Sequence, residues 1–421
     1  MAKKGKDRKQ VVVGMTGGVD STVAAYLLKK QGLEPIGVTF NFYKEDSSQR
    51  SGEECLGTCQ TKDLVNIQEI CEKLEIPFYG VNASHLFKER ILDRVLTARL
   101  GGTAFSPCVY CNVLKFDLLV EKSKKLGADF IATGHYAKVV KNIKTGKFQL
   151  ISANDKKQDQ SYYLSALDRV HLENLLLPCA DIRRSEVEQI SKSLGIPFVK
   201  KGERNHLCFM KEKNFSSYVK NNAPPGMLNN GGIFIYEDGT PIGDHDGVHN
   251  FYIGQDKVEA LDKVKIDEDA RVVEIDRKSK NVYISKTKNI RYSICEVVNY
   301  KQDDDTDISS PIKVFIQFSQ LEKRKPCFLY FKNNDTVVLR FREEVIGLLV
   351  KGAHVAIYNG LGAGAKIIGN GTLNSFGFFD KNSKFRSLPD PEEIEQEIYG
   401  QDELELDLSL KIPRKEKDVT F

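Results

Sequence analysis

Short apolar runs alternate with amphipathic stretches through the first half of the chain. Val11-Val12-Val13 reads as a strand buried on both faces, and Ser21 to Gln31 reads as a helix. A strand at Pro35–Phe40, a helix over Lys62–Leu74, a strand at Pro77–Val81, a helix over Lys115–Leu126 and a strand at Phe130–Thr133 follow. Strands and helices alternating at this length predict an α/β domain with a parallel sheet covered on both faces. An amphipathic helix around Asp181–Leu194 ends at the helix stop Gly195-Ile196-Pro197. The pattern changes after Pro224-Pro225-Gly226. Residues 231–300 alternate in short strands broken by turns such as Glu237-Asp238-Gly239-Thr240. From Pro311 to about Gly377 the pattern is all β, with strands at Ile312–Phe318, Thr336–Phe341, Val345–Leu349 and Val355–Tyr358. A small C-terminal β-barrel is the expectation.

A chain of 421 residues is too long for one compact core. The divisions above give a basic extension over 1–10, a parallel-sheet domain over 11–212 and a small mixed central domain over 213–295. The barrel then takes 296–380, and a charged tail takes 381–421. The net charge of +4 permits contact with a polyanion but does not call for one. No apolar stretch approaches the roughly 18–20 residues of a membrane helix. The basic start lacks the apolar core of a signal peptide, so a cytoplasmic location and no membrane partner are expected. Nine cysteines without a secretory signal point to thiol chemistry or metal binding rather than a disulfide framework.

The most informative segment is Gly14-Met15-Thr16-Gly17-Gly18-Val19-Asp20-Ser21, which leads from the first strand into the first helix. Such a turn offers backbone N–H groups and a helix N-terminus to a nucleotide's phosphates. Thr16, Ser21 and Thr22 add hydroxyls, and Asp20 is placed to help hold Mg2+. No Gly-Lys-Ser/Thr follows, so this is not the P-loop of GTPases. The turn resembles the SGGVDS signature of the PP-loop pyrophosphatases, with Thr16 in place of the first serine. That resemblance implies ATP as cofactor, split into AMP and pyrophosphate to adenylate an oxygen. In open parallel sheets ligands lie beyond the carboxyl ends of the strands, which adds Phe40, Gly134 and His135 to the expected ATP site.

Thiols supply the second chemistry. Cys108 and Cys111 form a C-x-x-C pair placed just before the helix at Lys115, where the dipole favours a thiolate. Cys208 sits in the apolar patch Leu207-Cys208-Phe209. C-x-x-C also describes redox dithiols and half of a zinc site, and Cys55 with Cys59 is a candidate for the other half.

Together with the glycine turn, Ala132-Thr133-Gly134-His135-Tyr136, Asp159-Gln160-Ser161-Tyr162, Gly243-Asp244-His245-Asp246-Gly247 and Tyr252-Ile253-Gly254-Gln255, these segments resemble the tRNA-specific 2-thiouridylases. The resemblance spans residues 11 to about 370. It implies ATP-dependent 2-thiolation of the wobble uridine of tRNA. The 2-oxygen is adenylated, and sulfur is delivered from a persulfide on Cys208 that Cys111 resolves. It also implies a sulfur donor such as a cysteine desulfurase or sulfur-relay protein. Asp159, Gln160, Ser161, Arg99 and Lys115 are the expected tRNA contacts, with the uridine flipped out of its stack. Cys108 stands where the family commonly has aspartate, Gln158 where it has lysine, and Arg204-Asn205-His206 where it has Ser-Thr-Gly. The thiol at 108 opens a further option. Cys108, Cys111 and Cys208 could hold a [4Fe–4S] cluster with one open iron to carry sulfide. The competing classes are another PP-loop adenylating enzyme, which would not need Cys208, and a non-catalytic RNA-binding or sulfur-relay protein.

Overall fold

The fold is that of a computed structural model describing residues 9–42, 61–195, 212–228, 231–255, 270–287, 290–302 and 311–377. Cys55, Cys59, Cys208, most of the basic extension and the charged tail lie outside the described residues.

In chain order the first domain contains β1 (Gln10–Gly14), α1 (Val19–Lys30), β2 (Glu34–Asn41), α2 (Thr61–Lys73) and β3 (Phe78–Asn82). Next come α3 (Ser84–Phe87), a π-helical stretch Lys88–Leu92, α4 (Asp93–Gly101), α5 (Pro107–Leu126) and β4 (Phe130–Ala132). The hairpin β5 (Ala137–Lys141) and β6 (Phe148–Ser152) follows, then α6 (Ser161–Leu164), α7 (Arg169–Leu172), β7 (Leu175–Leu176), α8 (Arg184–Ser193) and α9 (Glu212–Asn222). The main sheet is parallel throughout, in the order β3-β2-β1-β4-β7. Val11, Val12 and Val13 are fully buried, as a strand covered on both faces requires. The chain moves outward from β1 to β3 and then returns to the other side of β1 with β4. The order therefore reverses between β1 and β4, and the ligand crevice of such sheets opens at that point.

The expected α/β class, the central mixed sheet and the barrel are all present. The central sheet has the order β10-β11-β8-β9, from β8 (Gly232–Tyr236), β9 (Pro241–His245), β10 (Ala270–Asp276) and β11 (Asn281–Lys286). Six strands close the barrel: β12 (Arg291–Gln302), β13 (Ile312–Gln317), β14 (Lys325–Phe331), β15 (Val337–Ile346), β16 (His354–Tyr358) and β17 (Ile367–Phe376). Two local expectations need correction. The strands expected at 336–341 and 345–349 form the one strand β15, which bulges opposite Tyr292–Ile294 of β12 and ends before Gly347. The helix expected from Lys115 begins at Pro107. Proline suits the first position of a helix, where its missing N–H has no partner to lose. Cys108 and Cys111 thus lie within the first two turns of α5 rather than ahead of it.

The barrel does not stand apart from the first domain. Ala356, Tyr358 and Ile367 share a continuous apolar cluster with Leu114 and Phe116 of α5 and Leu150 of β6. A bridge between Ile151 and Lys366 and the hydrogen bond from Ser152 N–H to the Ala365 carbonyl (2.9 Å) tie β6 to the barrel.

Candidate active site

The glycine turn is held by its own residues. Met15 N–H donates to the Val38 carbonyl at 2.8 Å, continuing β1 along β2. Gly17 takes φ +69°, the left-handed region that glycine occupies without penalty. Thr16 N–H donates to Ser21 Oγ at 3.1 Å, and the hydroxyls of Ser21 and Thr22 both donate to the Gly18 carbonyl at 3.0 Å. Ser21 and Thr22 are buried, so they shape the turn from beneath, whereas Thr16 is exposed.

Three segments close on the first turn of α1. Gly134 passes so near that a Cβ there would lie 2.4 Å from the backbone carbon of Asp20 and 2.7 Å from Ser21 N. The Cys179 thiol faces the Asp20 carbonyl at 3.5 Å, and burial pushes that thiol up to about 12. The Asp20 carboxylate accepts the Tyr136 hydroxyl at 2.7 Å on Oδ1, and the guanidinium of Arg184 donates to the same oxygen. Arg184 also reaches Glu188 through Nε at 3.3 Å. Asp20 is the one expected magnesium ligand in the turn. A single carboxylate with one oxygen engaged fits a Mg2+ ion held mainly by phosphates and water, which is that ion's habit at nucleotide sites.

His135 follows Gly134 and lies against α5. Its Nδ1 is 2.9 Å from Thr133 Oγ1, and its ring lies 6.0 Å from that of Phe116. Burial and the Lys115 ammonium hold it well below the ordinary histidine value, so the ring is neutral at pH 7. Phe116 also meets His171, whose Nδ1 accepts the Asp168 N–H at 3.1 Å. His171 Nε2 therefore carries the proton and donates to Asp117 at 2.9 Å.

On α5, Cys108 is exposed and Cys111 is buried. Asn112 beside them donates to the Cys108 carbonyl at 3.0 Å. Its Oδ1 is buried without a hydrogen-bond partner among the described residues. Among the described residues no group of three or more His, Cys, Asp or Glu is arranged to hold a metal. The cluster option rests on Cys208, which lies outside the described residues.

The remaining expected residues are divided between core and joint. Phe40 is buried and stacks on Phe42 at 5.9 Å. Asp159 accepts the N–H groups of Ala153 and Ser161 on Oδ1, and Ser161 Oγ and Arg324 on Oδ2 at 2.9 and 2.8 Å. Arg324 comes from the barrel, donates to Ser152 Oγ at 2.6 Å and lies 3.5 Å above the Tyr358 ring. Asp159 and Ser161 thereby join the barrel to the first domain. Gln160 accepts the Tyr136 N–H at 3.1 Å. Arg99 lies over the Tyr252 ring of the central domain at 4.7 Å, and Lys115 is half-buried near His135.

Sequence reasoning missed Arg184 and Arg324. Arg184 left a signal. It opens α8 together with Arg183, and cations at a helix N-terminus oppose the dipole unless another partner holds them. Arg324 left none, because its partner is 165 residues away.

Residues 9–212 match the family described as "tRNA methyl transferase HUP domain". A tRNA-specific 2-thiouridylase MnmA of Clostridium perfringens is 34% identical over 315 residues, covering 74% of this chain and 85% of that protein. The chain belongs to the tRNA-specific 2-thiouridylase family. A second member, from Clostridium botulinum strain Eklund 17B, is 32% identical over 374 residues, covering 88% of this chain and 99% of its own length. Membership of the 2-thiouridylase family makes the chain an enzyme of the tRNA-uridine sulfurtransferase class, as expected from its motifs. Among solved structures, the U34-tRNA thiolase NcsA from Methanococcus maripaludis with its [4Fe-4S] cluster aligns over 53% of this chain and 68% of that one. At 20% identity and a TM-score of 0.31, that likeness carries no argument. No described helix is long and apolar enough to cross a membrane.

Proposed function

We propose that the chain 2-thiolates the wobble uridine of tRNA at the expense of ATP. The observation that carries this reading is the continuity between the glycine turn and the cysteine helix. Gly134 touches Asp20 of the turn, His135 follows it, and His135 faces Phe116 and Lys115, one turn along α5 from Cys111. This chain of contacts links the glycine turn to the helix that carries the thiols, and supports a reading in which ATP and the thiol serve one reaction.

In the first step the uridine 2-oxygen attacks the α-phosphorus of ATP and the bond to the β-phosphate's bridging oxygen breaks. Backbone N–H groups at the start of α1 stabilise the departing pyrophosphate, and Mg2+ beside Asp20 would supply further positive charge. The neutral His135 donates or accepts a hydrogen bond there without adding charge. In the second step the terminal sulfur of a Cys208 persulfide attacks C2 of the adenylated uridine and AMP leaves with the C2–O electron pair. Cys111, as thiolate, then attacks Cys208 Sγ and the S–S bond to the transferred sulfur breaks. The products are 2-thiouridine and a Cys111–Cys208 disulfide, which a dithiol reductant returns to two thiols. A persulfide-bearing donor protein, of the cysteine desulfurase or relay class, reloads Cys208. Asp159, Gln160, Ser161, Arg99 and Lys115 remain our candidates for the tRNA side of the crevice. For Asp159 and Ser161 this role would be exerted through the joint they form with Arg324.

The test is nucleoside mass spectrometry of unmodified tRNA after anaerobic incubation with the protein, ATP, Mg2+ and a persulfide donor, a cysteine desulfurase supplied with cysteine. Wobble 2-thiouridine is the expected product. ATP cleavage without it would favour a PP-loop adenylating enzyme with another acceptor. No tRNA-dependent AMP at all would favour a non-catalytic role. An iron-free preparation without a shoulder near 400 nm would exclude the cluster-bound sulfide route.

A further inference from the structure

The turn of α5 that carries Cys108 and Cys111 is launched from a five-residue loop, 102–106, on which all three domains converge. The central domain meets its start: a Cβ on Gly102 would lie 3.3 Å from the Ile275 carbonyl, and Arg99, just before it, lies over Tyr252. The barrel holds its middle and end. Ala104 N–H donates to the Lys351 carbonyl at 2.7 Å, and the His354 N–H donates to Ser106 Oγ at 3.0 Å. Gly352 lies between these two contacts with φ +92°, and a Cβ there would sit 2.3 Å from the Ala104 carbonyl oxygen. The barrel also touches the C-x-x-C itself. Tyr110, between the two cysteines, stacks on Phe105 at 4.8 Å and meets the edge of the His354 ring at 6.1 Å. The His354 ring is fixed in turn by Ser165, whose Oγ is 2.7 Å from Nε2.

We propose that the turn from Lys351 to His354 is the device that sets the cysteine-bearing turn of α5, with Gly352, His354 and Ser106 as positioning residues for sulfur transfer. Nothing in the barrel need touch the nucleotide for this. Its backbone fixes where α5 begins, and a helix start displaced by a fraction of a turn rotates every side chain of the first two turns. A phosphate site on α1 and a thiol on α5 can then be brought into register independently. The part that concerns catalysis rests on the sulfur-transfer reading above, whereas the structural clamp does not.

The experiment uses the full chain and two single variants, Ser106→Ala and Gly352→Ala. The first removes one acceptor with little steric change, so it serves even where the second does not fold. Each thiol's rate of alkylation by iodoacetamide is measured by peptide mass spectrometry. Cys111, buried in the unaltered chain, is expected to react about fivefold or more faster in either variant, because its protection reports local opening. Cys71 and Cys179, buried elsewhere in the first domain, are expected to keep their protection. An unchanged Cys111 rate in a folded variant overturns the proposal, as does equal acceleration of all three thiols. A second readout is 2-thiouridine formed per AMP released. It is expected to fall roughly tenfold or more in Ser106→Ala, since small misplacements at a reacting group cost that much. A parallel fall in AMP release, with the ratio intact, opposes a positioning role. An unaltered chain that makes no 2-thiouridine would overturn the functional reading alone, and the alkylation rates would still decide the clamp.

Discussion

Arg184 and Tyr136 converge on one oxygen, Oδ1 of Asp20, so that α8 and the segment after β4 are both tied to the first turn of α1. The pair is only half-buried, which limits its worth as an ion pair. Its value lies in holding the carboxylate in one place. Arg184→Ala is expected to cost about 1 kcal/mol of stability. It should also weaken ATP binding about tenfold, since a wandering Asp20 no longer presents its second oxygen to the metal. Arg184→Lys keeps the charge but not the planar fork and should fall between. Calorimetric titration with Mg·ATP checks the series, and equal affinities across it would remove the argument.

Gly134 permits no side chain. A methyl group 2.4 Å from the Asp20 backbone has nowhere to go, because both partners are main chain. Gly134→Ala is expected to lose roughly 1–3 kcal/mol, in the range of overpacked cores. Because the displaced element is the phosphate turn, ATP-dependent AMP formation should drop further than stability does. Denaturant unfolding and AMP release measured on the same preparation separate the two effects.

How far the sequence could be read depends on how far apart the interacting residues lie. The Val11–Val13 run, the glycine turn and the alternation of strands and helices are local patterns, and they give the parallel sheet and the strand–turn–helix from β1 into α1. The start of α5 cannot be placed from sequence, because Cys108, Val109 and Tyr110 carry no periodic signal that separates a helix from a loop. Only Pro107 hinted at it. β14 gives no clear sequence signal because Lys325-Pro326 at its start looks like a strand end, although proline is tolerated at that position. Arg324 and His354 owe their roles to partners contributed by other domains. No spacing in the chain announces such partners. Asp159 and Ser161 were visible as a motif, yet their hydrogen bonds with Arg324 could be seen only in three dimensions.

His354 makes stability depend on pH. Its ring is fully enclosed, and burial pushes it down to about 3. The folded value lies below the roughly 6.5 of an unfolded histidine. Between those two values the unfolded chain holds the extra proton, so stability is complete above about pH 6.5 and falls as the pH drops below it. At pH 5 this ring alone should account for a loss of about 2 kcal/mol. His354→Gln removes that share, so the variant's stability should change less between pH 7 and pH 5 than that of the unaltered chain. Urea unfolding at the two pH values makes the comparison, and identical pH dependence in both proteins would assign the effect to other groups.

Arg324 anchors the barrel to the first domain through a carboxylate that is itself well buried, with side-chain exposures of 9% for Arg324 and 14% for Asp159. Removing one partner strands the other charge, which typically costs about 3–5 kcal/mol. Arg324→Ala is therefore expected to lower thermal stability sharply. Replacing both residues, as Arg324→Met with Asp159→Leu, should cost less than Arg324→Ala alone, since no unpaired charge remains. A double-mutant cycle by calorimetry tests this. Additive losses would mean that the pair does not couple the domains.

Cys108 separates the two ways in which sulfur could be carried. It is exposed on the first turn of α5, whereas Cys111, one turn further along, is buried. In the persulfide route Cys111 and Cys208 are the reacting thiols and Cys108 is a bystander. Cys108→Ser should then keep 2-thiouridine formation within about twofold, while Cys111→Ser and Cys208→Ser each lose about a thousandfold or more and still release pyrophosphate in the adenylation step, as expected when a covalent step is removed but binding is intact. In the cluster route all three thiolates are ligands, so Cys108→Ser should fall as far as the other two and lose any bound iron. Thiolation and iron content, measured together on the three variants after anaerobic purification, decide between them. A Cys108→Ser enzyme that is fully active and iron-free leaves only the persulfide.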